Sequence, residues 1–203
     1  MTTPVSAETA DLTPESRPLA RVPAASAWWV LIAGVIGFVA SMTLTVEKIE
    51  LLLNPSYVPS CNINPIVSCG SVMVTPQASV LGFPNPLLGL VGFTVVIVTG
   101  VLAVTKVPLP QWYWAGLMVG VLIGTVFVHW LIFQSLYRIG ALCPYCMVVW
   151  AVTISLLVVV ATIAFRPPRV LYHWRWSIAT LWFTAVFLLI MVRFWNYWST
   201  LLP

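Results

Sequence analysis

The chain has 203 residues, of which 61% are hydrophobic and only 7% charged, with a formal net charge of +4. Soluble domains carry about 25% charged residues, so a water-soluble globule is excluded; lipid tails accept apolar side chains as well as a core does. The positive charge does not argue for nucleic acid either, because the nine Lys and Arg are scattered between apolar runs and serve as topology signals.

Residues 1–25 hold Glu8, Asp11, Glu15, Arg17 and Arg21 among Pro, Ser, Thr and Ala, the composition of a short disordered tail. No small-residue cleavage site follows, so the first apolar run is expected to stay as an anchor. Residues 26–203 are expected to form one membrane domain. About 20 apolar residues cross the hydrocarbon core as a helix.

The first run of that length is 28–46, opened by Trp28 and Trp29. Glu47, Lys48 and Glu50 behind it read as a solvated helix end. The segment 47–84 is the one long connection, and loops longer than about 15 residues are functional or disordered. Its apolar stretches, punctuated by Pro59, Pro65, Pro76 and Pro84, predict a cap of short helical pieces folded over the bundle. It carries Cys61 and Cys69.

The second run is 85–104. The third, 112–131, opens on Trp112 and Trp114 and carries Gly116, Gly120 and Gly124. Their four-residue spacing puts them on one face, where helix backbones approach closely; bundle packing is the expected use. His129 in the same run is a functional candidate because ionisable groups in spans usually are. The plainer reading is a neutral histidine hydrogen-bonded within the bundle. The fourth run, 144–165, begins inside Cys143-Pro144-Tyr145-Cys146. The fifth, 176–194, lies between Trp174 and Trp176 at one end and Trp195 and Trp198 at the other, with Arg193 placed to snorkel to the interface. The expected fold is therefore an all-α integral membrane protein embedded in a lipid bilayer.

Five spans put the termini on opposite sides. With the N-terminus inside, the inner face collects Arg17, Arg21, Lys106, Arg166, Arg169 and Arg175, and the outer face Lys48, Arg138 and Arg193. The cytoplasmic side collects positive charge, so the N-terminus is expected to be cytoplasmic. All four cysteines then fall on the outer side, where disulfides persist.

Pro144 suits the first position of a helix. Cys143 is then at the cap and Cys146 at the third helical position, both in the positive end of the helix dipole. A thiolate there is stabilised, and such a thiol both attacks and leaves well in exchange. Tyr145 between them can shape partner access or tune potential. Two further readings of the four cysteines stand beside a redox relay. One is a membrane scaffold with structural disulfides, although a Cys61–Cys69 bond would add only roughly 2.5 kcal/mol by loop entropy. The other is a zinc or iron–sulfur site, disfavoured by unequal spacing and the lack of a nearby histidine; no metal is expected. A dithiol relay needs an acceptor for two electrons, and the chain has no dinucleotide, haem or flavin signature. A membrane quinone, which enters laterally between helices, fits that need.

Cys61-Asn-Ile-Asn-Pro-Ile-Val-Ser-Cys69, then Thr75, then Gly82-Phe83-Pro84-Asn85-Pro86, then Cys143-Pro-Tyr-Cys146 resembles the vitamin K epoxide reductase family over roughly residues 28–165. Quinone-linked thiol oxidases of the DsbB type are similar in logic but carry the Cys-x-x-Cys pair earlier. The resemblance implies a four-helix bundle around a quinone with the fifth helix outside it. It implies that Cys61 takes electrons from a partner, Cys69 exchanges with Cys143, and Cys146 faces the quinone. Thr75, Phe83 and Asn85 match positions near the quinone, with Asn85 bonding a carbonyl. Trp150 stands where animal relatives carry a tyrosine, which weakens the case for reduction of vitamin K epoxide, the alternative activity. Many bacterial relatives continue into a thioredoxin-like domain. This chain ends at Pro203, so the expected partner is a separate, secreted DsbA-like protein, the expected acceptor menaquinone or a related quinone, and the expected location the bacterial plasma membrane.

Overall fold

The computed structural model describes Ala20, residues 22–165 and residues 169–200. The expected tail falls outside the described residues except for Ala20 and residues 22–25, as do Arg17, Arg21 and Arg166.

Five helices are long and apolar enough to cross a membrane. The first is α1 (Ala24–Leu53). It runs two turns past its expected end because no helix breaker intervenes before Asn54-Pro55. The proline ring disfavours helical geometry in the residue before it, and Asn54 is extended at φ −134°, ψ 100°. At 30 residues, α1 is about 45 Å long against a hydrocarbon core of about 30 Å. Its last turns thus reach the level of the cap.

The cap holds α2 (Cys69–Met73) and a 3-10 turn at Pro76–Ser79. Ser68 starts α2 by accepting the amide of Ser71 on its hydroxyl, at 3.2 Å, which satisfies one of the free donors of the first turn. Helix α3 (Pro86–Val104) follows, opened by a proline. Helix α4 (Gln111–Phe133) passes directly into a π-helical turn at Gln134–Ile139, which Gly140 ends in the left-handed region at φ 72°. Helix α5 (Pro144–Phe165) begins at the residue expected for it. Helix α6 (Arg169–Arg193) and the short α7 (Trp195–Trp198) complete the order.

Helix α1 lies in the middle, packed along α3 on one side and α5 on the other; α4 packs on α5, and α6 on the outside of α5. Half of the apolar stretch of α5 is buried but only 11% of that of α6, so α6 is peripheral. Two polar ties hold it. The Trp182 indole donates to His129 Nε2 at 2.9 Å, while His129 Nδ1 meets the Thr125 carbonyl at 2.8 Å. With Nδ1 donating, both ring nitrogens are satisfied in the neutral state, and the plainer reading of His129 fits this geometry. Arg193 does not merely snorkel: its Nε donates to the Leu136 carbonyl in the π turn at 2.9 Å.

Close helix approach occurs at a different place from the one expected. A side chain at Gly100 would meet the backbone of Leu31 at 2.6 Å, and one at Gly37 would run into the ring of Phe93. The α1–α3 seam is thus closed through glycine. Gly116 and Gly120 on α4 face open space, and Gly124 has only a Thr153 methyl at 3.9 Å. The expectation that these three pack against a neighbouring helix is corrected. They face a gap, because α3 and α4, although consecutive, scarcely touch.

Candidate functional site

Between the walls of that gap lies a cavity of about 600 Å³. Gly92 of α3 and Gly116, Gly120 and Gly124 of α4 line its length, and residues of α1, α5 and the cap complete it. Absent side chains on two facing helices make the space. The lining is overwhelmingly apolar, as expected of a site that excludes water and takes a hydrophobic molecule. The cavity runs from Trp112 and Tyr113, at the start of α4, to Cys143 and Cys146 at the start of α5.

The cap brings the other cysteines to this end. Cys61 and Cys69 form a disulfide with a Cα separation of 5.6 Å. One short parallel bridge, Val67 beside Leu142, docks their segment on the residue preceding Cys143. The Leu142 amide donates to the Ile66 carbonyl at 2.7 Å and the Ser68 amide to the Leu142 carbonyl at 2.9 Å. Inside the loop, the Asn64 side-chain oxygen accepts the amides of Ile66 and Val67, and that of Asn62 accepts the amide of Gly70 and the hydroxyl of Ser68. These bonds settle the backbone polar groups of a segment that would otherwise be costly to bury.

The result is a row of sulfurs. Cys69 Sγ lies 3.2 Å from Cys143 Sγ, and the free thiols Cys143 and Cys146 both border the cavity. Cys143 accepts the Cys146 amide on its sulfur at 3.4 Å, and its carbonyl takes the first helical bond from Met147. Its thiol is held below the ordinary thiol range, first by the Cys146 side chain and further by the amides of Cys146 and Tyr145, while burial pulls the other way. Cys143 is thus set up for thiol–disulfide exchange with the sulfur beside it, and to leave as a thiolate. Cys61, Cys69 and Cys143 are all buried, at 5%, 0% and 1% exposure. Cys146 is half-buried, on the wall of the cavity.

Glu47 was expected on a solvated helix end, and it is instead buried. Its carboxylate accepts the Tyr57 hydroxyl at 2.9 Å and the Ser60 hydroxyl at 2.5 Å, with the Ser60 amide at 3.3 Å. It pins the segment leading into Cys61, and it holds the Tyr57 phenol above its usual value so that this hydroxyl stays a donor. Glu50 is exposed as expected. Lys48 is half-buried; its ammonium donates to the Met73 carbonyl at 2.7 Å, closing the C-terminal end of α2. Neighbouring residues of α1 thus hold the two legs of the Cys61–Cys69 disulfide. The sequence carried a signal for this in two opposite charges just past an apolar run, but not the partners.

Of the residues placed near a quinone by resemblance, Asn85 and Trp150 line the cavity, and Thr75 and Phe83 do not. The Asn85 amide donates to the Gln77 carbonyl at 2.7 Å and accepts the Val80 amide at 3.1 Å, bracing the turn before α3. Thr75 donates to the Val72 carbonyl at the end of α2, and Phe83 is exposed on the cap. The Trp150 indole N–H is buried with no partner among the described residues. No group of His, Cys, Asp and Glu suited to a metal ion occurs among the described residues.

Residues 28–161 match the family model described as the vitamin K epoxide reductase family. No curated protein matches the chain.

Proposed function

The chain belongs to the vitamin K epoxide reductase family, matched over the four bundle helices and the cap between them, and from that premise we propose that this membrane oxidoreductase oxidises the dithiol of a separate thioredoxin-fold protein and passes the electrons to a membrane quinone. The observation that carries the reading is the continuous path from the Cys61–Cys69 disulfide, across 3.2 Å to Cys143, to Cys146 on an apolar cavity of about 600 Å³.

The electrons follow the sulfurs. A partner dithiol reduces the Cys61–Cys69 bond and leaves as a disulfide, with two electrons and two protons now on Cys61 and Cys69. The Cys69 thiolate attacks Cys143 of an oxidised Cys143–Cys146 pair, and Cys146 departs as thiolate. Cys61 then attacks Cys69, restoring the outer disulfide and leaving Cys143 and Cys146 as the dithiol. The arrangement described above, outer pair closed and inner pair free, corresponds to electrons waiting on the inner pair. That dithiol closes to a disulfide as its two electrons and two protons go to a quinone, which becomes a quinol. The low-pKa Cys143 favours each exchange in which it attacks or leaves.

The open side between α3 and α4 supports lateral access of a lipid-soluble acceptor. We place the cysteines on the outer face of a bacterial plasma membrane, the acceptor as menaquinone or a relative, and the partner as a secreted DsbA-like protein. The test uses the purified protein in vesicles with a reduced thioredoxin-fold oxidase. Partner thiols should disappear in step with quinone consumption, and C143S and C146S should each abolish the coupling. Thiol loss that proceeds equally without quinone would overturn the reading.

A further inference from the structure

The cavity wall is almost devoid of charge. Among the described residues that line it, Lys48 is the sole Lys, Arg or His, and no Asp or Glu joins it. Lys48 lines the cavity and bonds Met73, which packs in one cluster with Cys69, Cys143 and Cys146. Its contact with the Met73 carbonyl at 2.7 Å uses one of its three N–H bonds. That contact fixes the ammonium and leaves two donors for a ligand. Of the other polar donors on the wall, the Asn85 amide already braces the cap turn, and the unpartnered Trp150 indole N–H carries no charge.

Resting on the quinone reading above, we propose that Lys48 is the cationic contact for the quinone oxygen on which negative charge gathers as the Cys143–Cys146 dithiol closes. Two electrons and two protons leave the thiols and arrive on the two quinone oxygens. Electron arrival ahead of proton arrival leaves an anionic oxygen in an apolar cavity, where a fixed donor stabilises it far more than water would. Lys48 also closes α2, the helix that starts at Cys69. The same ammonium therefore touches the outer disulfide's helix and the acceptor's wall.

The experiment compares two probes by quenching of intrinsic tryptophan fluorescence, for which Trp112 and Trp150 line the cavity: an anionic hydroxynaphthoquinone and its neutral methyl ether. The intact protein should bind the anion more tightly than the ether by about tenfold or more, the range of a hydrogen bond to a charged group. K48Q should lose that preference while keeping its affinity for the ether, and K48R should restore it. Equal binding of the two probes by the unaltered protein, which needs no variant, would overturn the assignment, as would a K48Q protein that keeps the preference. Failure of either probe to bind at all would bring down the quinone reading together with this one. Turnover adds a second reading: K48Q should lose kcat most steeply with quinones of low potential, whereas a mere loosening of the cap would slow all quinones by one factor.

Discussion

Two glycine-bearing faces of this molecule do opposite things. Along the α1–α3 seam, Gly37 and Gly100 let helices touch, to the point that a methyl at Gly100 would enter the Leu31 backbone. Along α4, Gly116, Gly120 and Gly124 recur every four residues and touch almost nothing, because they border the cavity. The difference lies in the partner. Where a second helix is pressed close, a missing side chain becomes contact; where the facing helix stands off, it becomes volume.

The contrast is broken most severely at the seam. G100L drives a bulky side chain into backbone that cannot yield, and overpacking of this kind should cost about 3 kcal/mol or more. Thermal unfolding in detergent should show a collapsed midpoint or no folded protein; an unchanged midpoint would mean the seam is slacker than described. On the open face, G120L should leave the midpoint unchanged or raise it, since leucine favours a helix by up to about 1 kcal/mol over glycine. It should instead raise the quinone KM by about tenfold or more, the scale at which a pocket resists added bulk. A lowered midpoint with normal turnover would show that the two faces are alike after all. The smallest effect concerns the thiols at the cap end of the open face. The Cys146 side chain is the leading cause of the depressed Cys143 pKa, so C146A should move the thiolate absorbance of Cys143 to higher pH. In the parent protein the thiolate persists as pH falls below the ordinary thiol range; in the variant it should be lost sooner. No movement would assign the depression to the helix end alone.

The spans were legible because membrane crossing depends on composition over about 20 residues, a property of the sequence itself. The start of α5 was legible for a local reason, a proline at the first helical position between two cysteines. The glycine face of α4 was misread because spacing reports which side of a helix is bare and says nothing about what stands opposite. Glu47 was misread for a related reason. Its charge suggested water, but Tyr57 and Ser60 lie 10 and 13 residues on and reach it only once the cap folds back. The cysteine row was divided in the same way. That the four cysteines belong together could be read from their types and placement, whereas the 3.2 Å between Cys69 and Cys143 follows from a two-residue bridge at Leu142 that no periodicity announces.

Under the function proposed above, that bridge also decides which thiols can donate electrons. With Cys61 and Cys69 both buried where the cap docks, a small thiol in solution would meet their disulfide only when the cap lifts. A protein able to grip and displace the cap reaches it directly. Under the same proposal, the hydrogen bonds of Leu142 with Ile66 and Ser68 insulate the membrane's oxidising power from the surrounding thiol pool when no partner is docked.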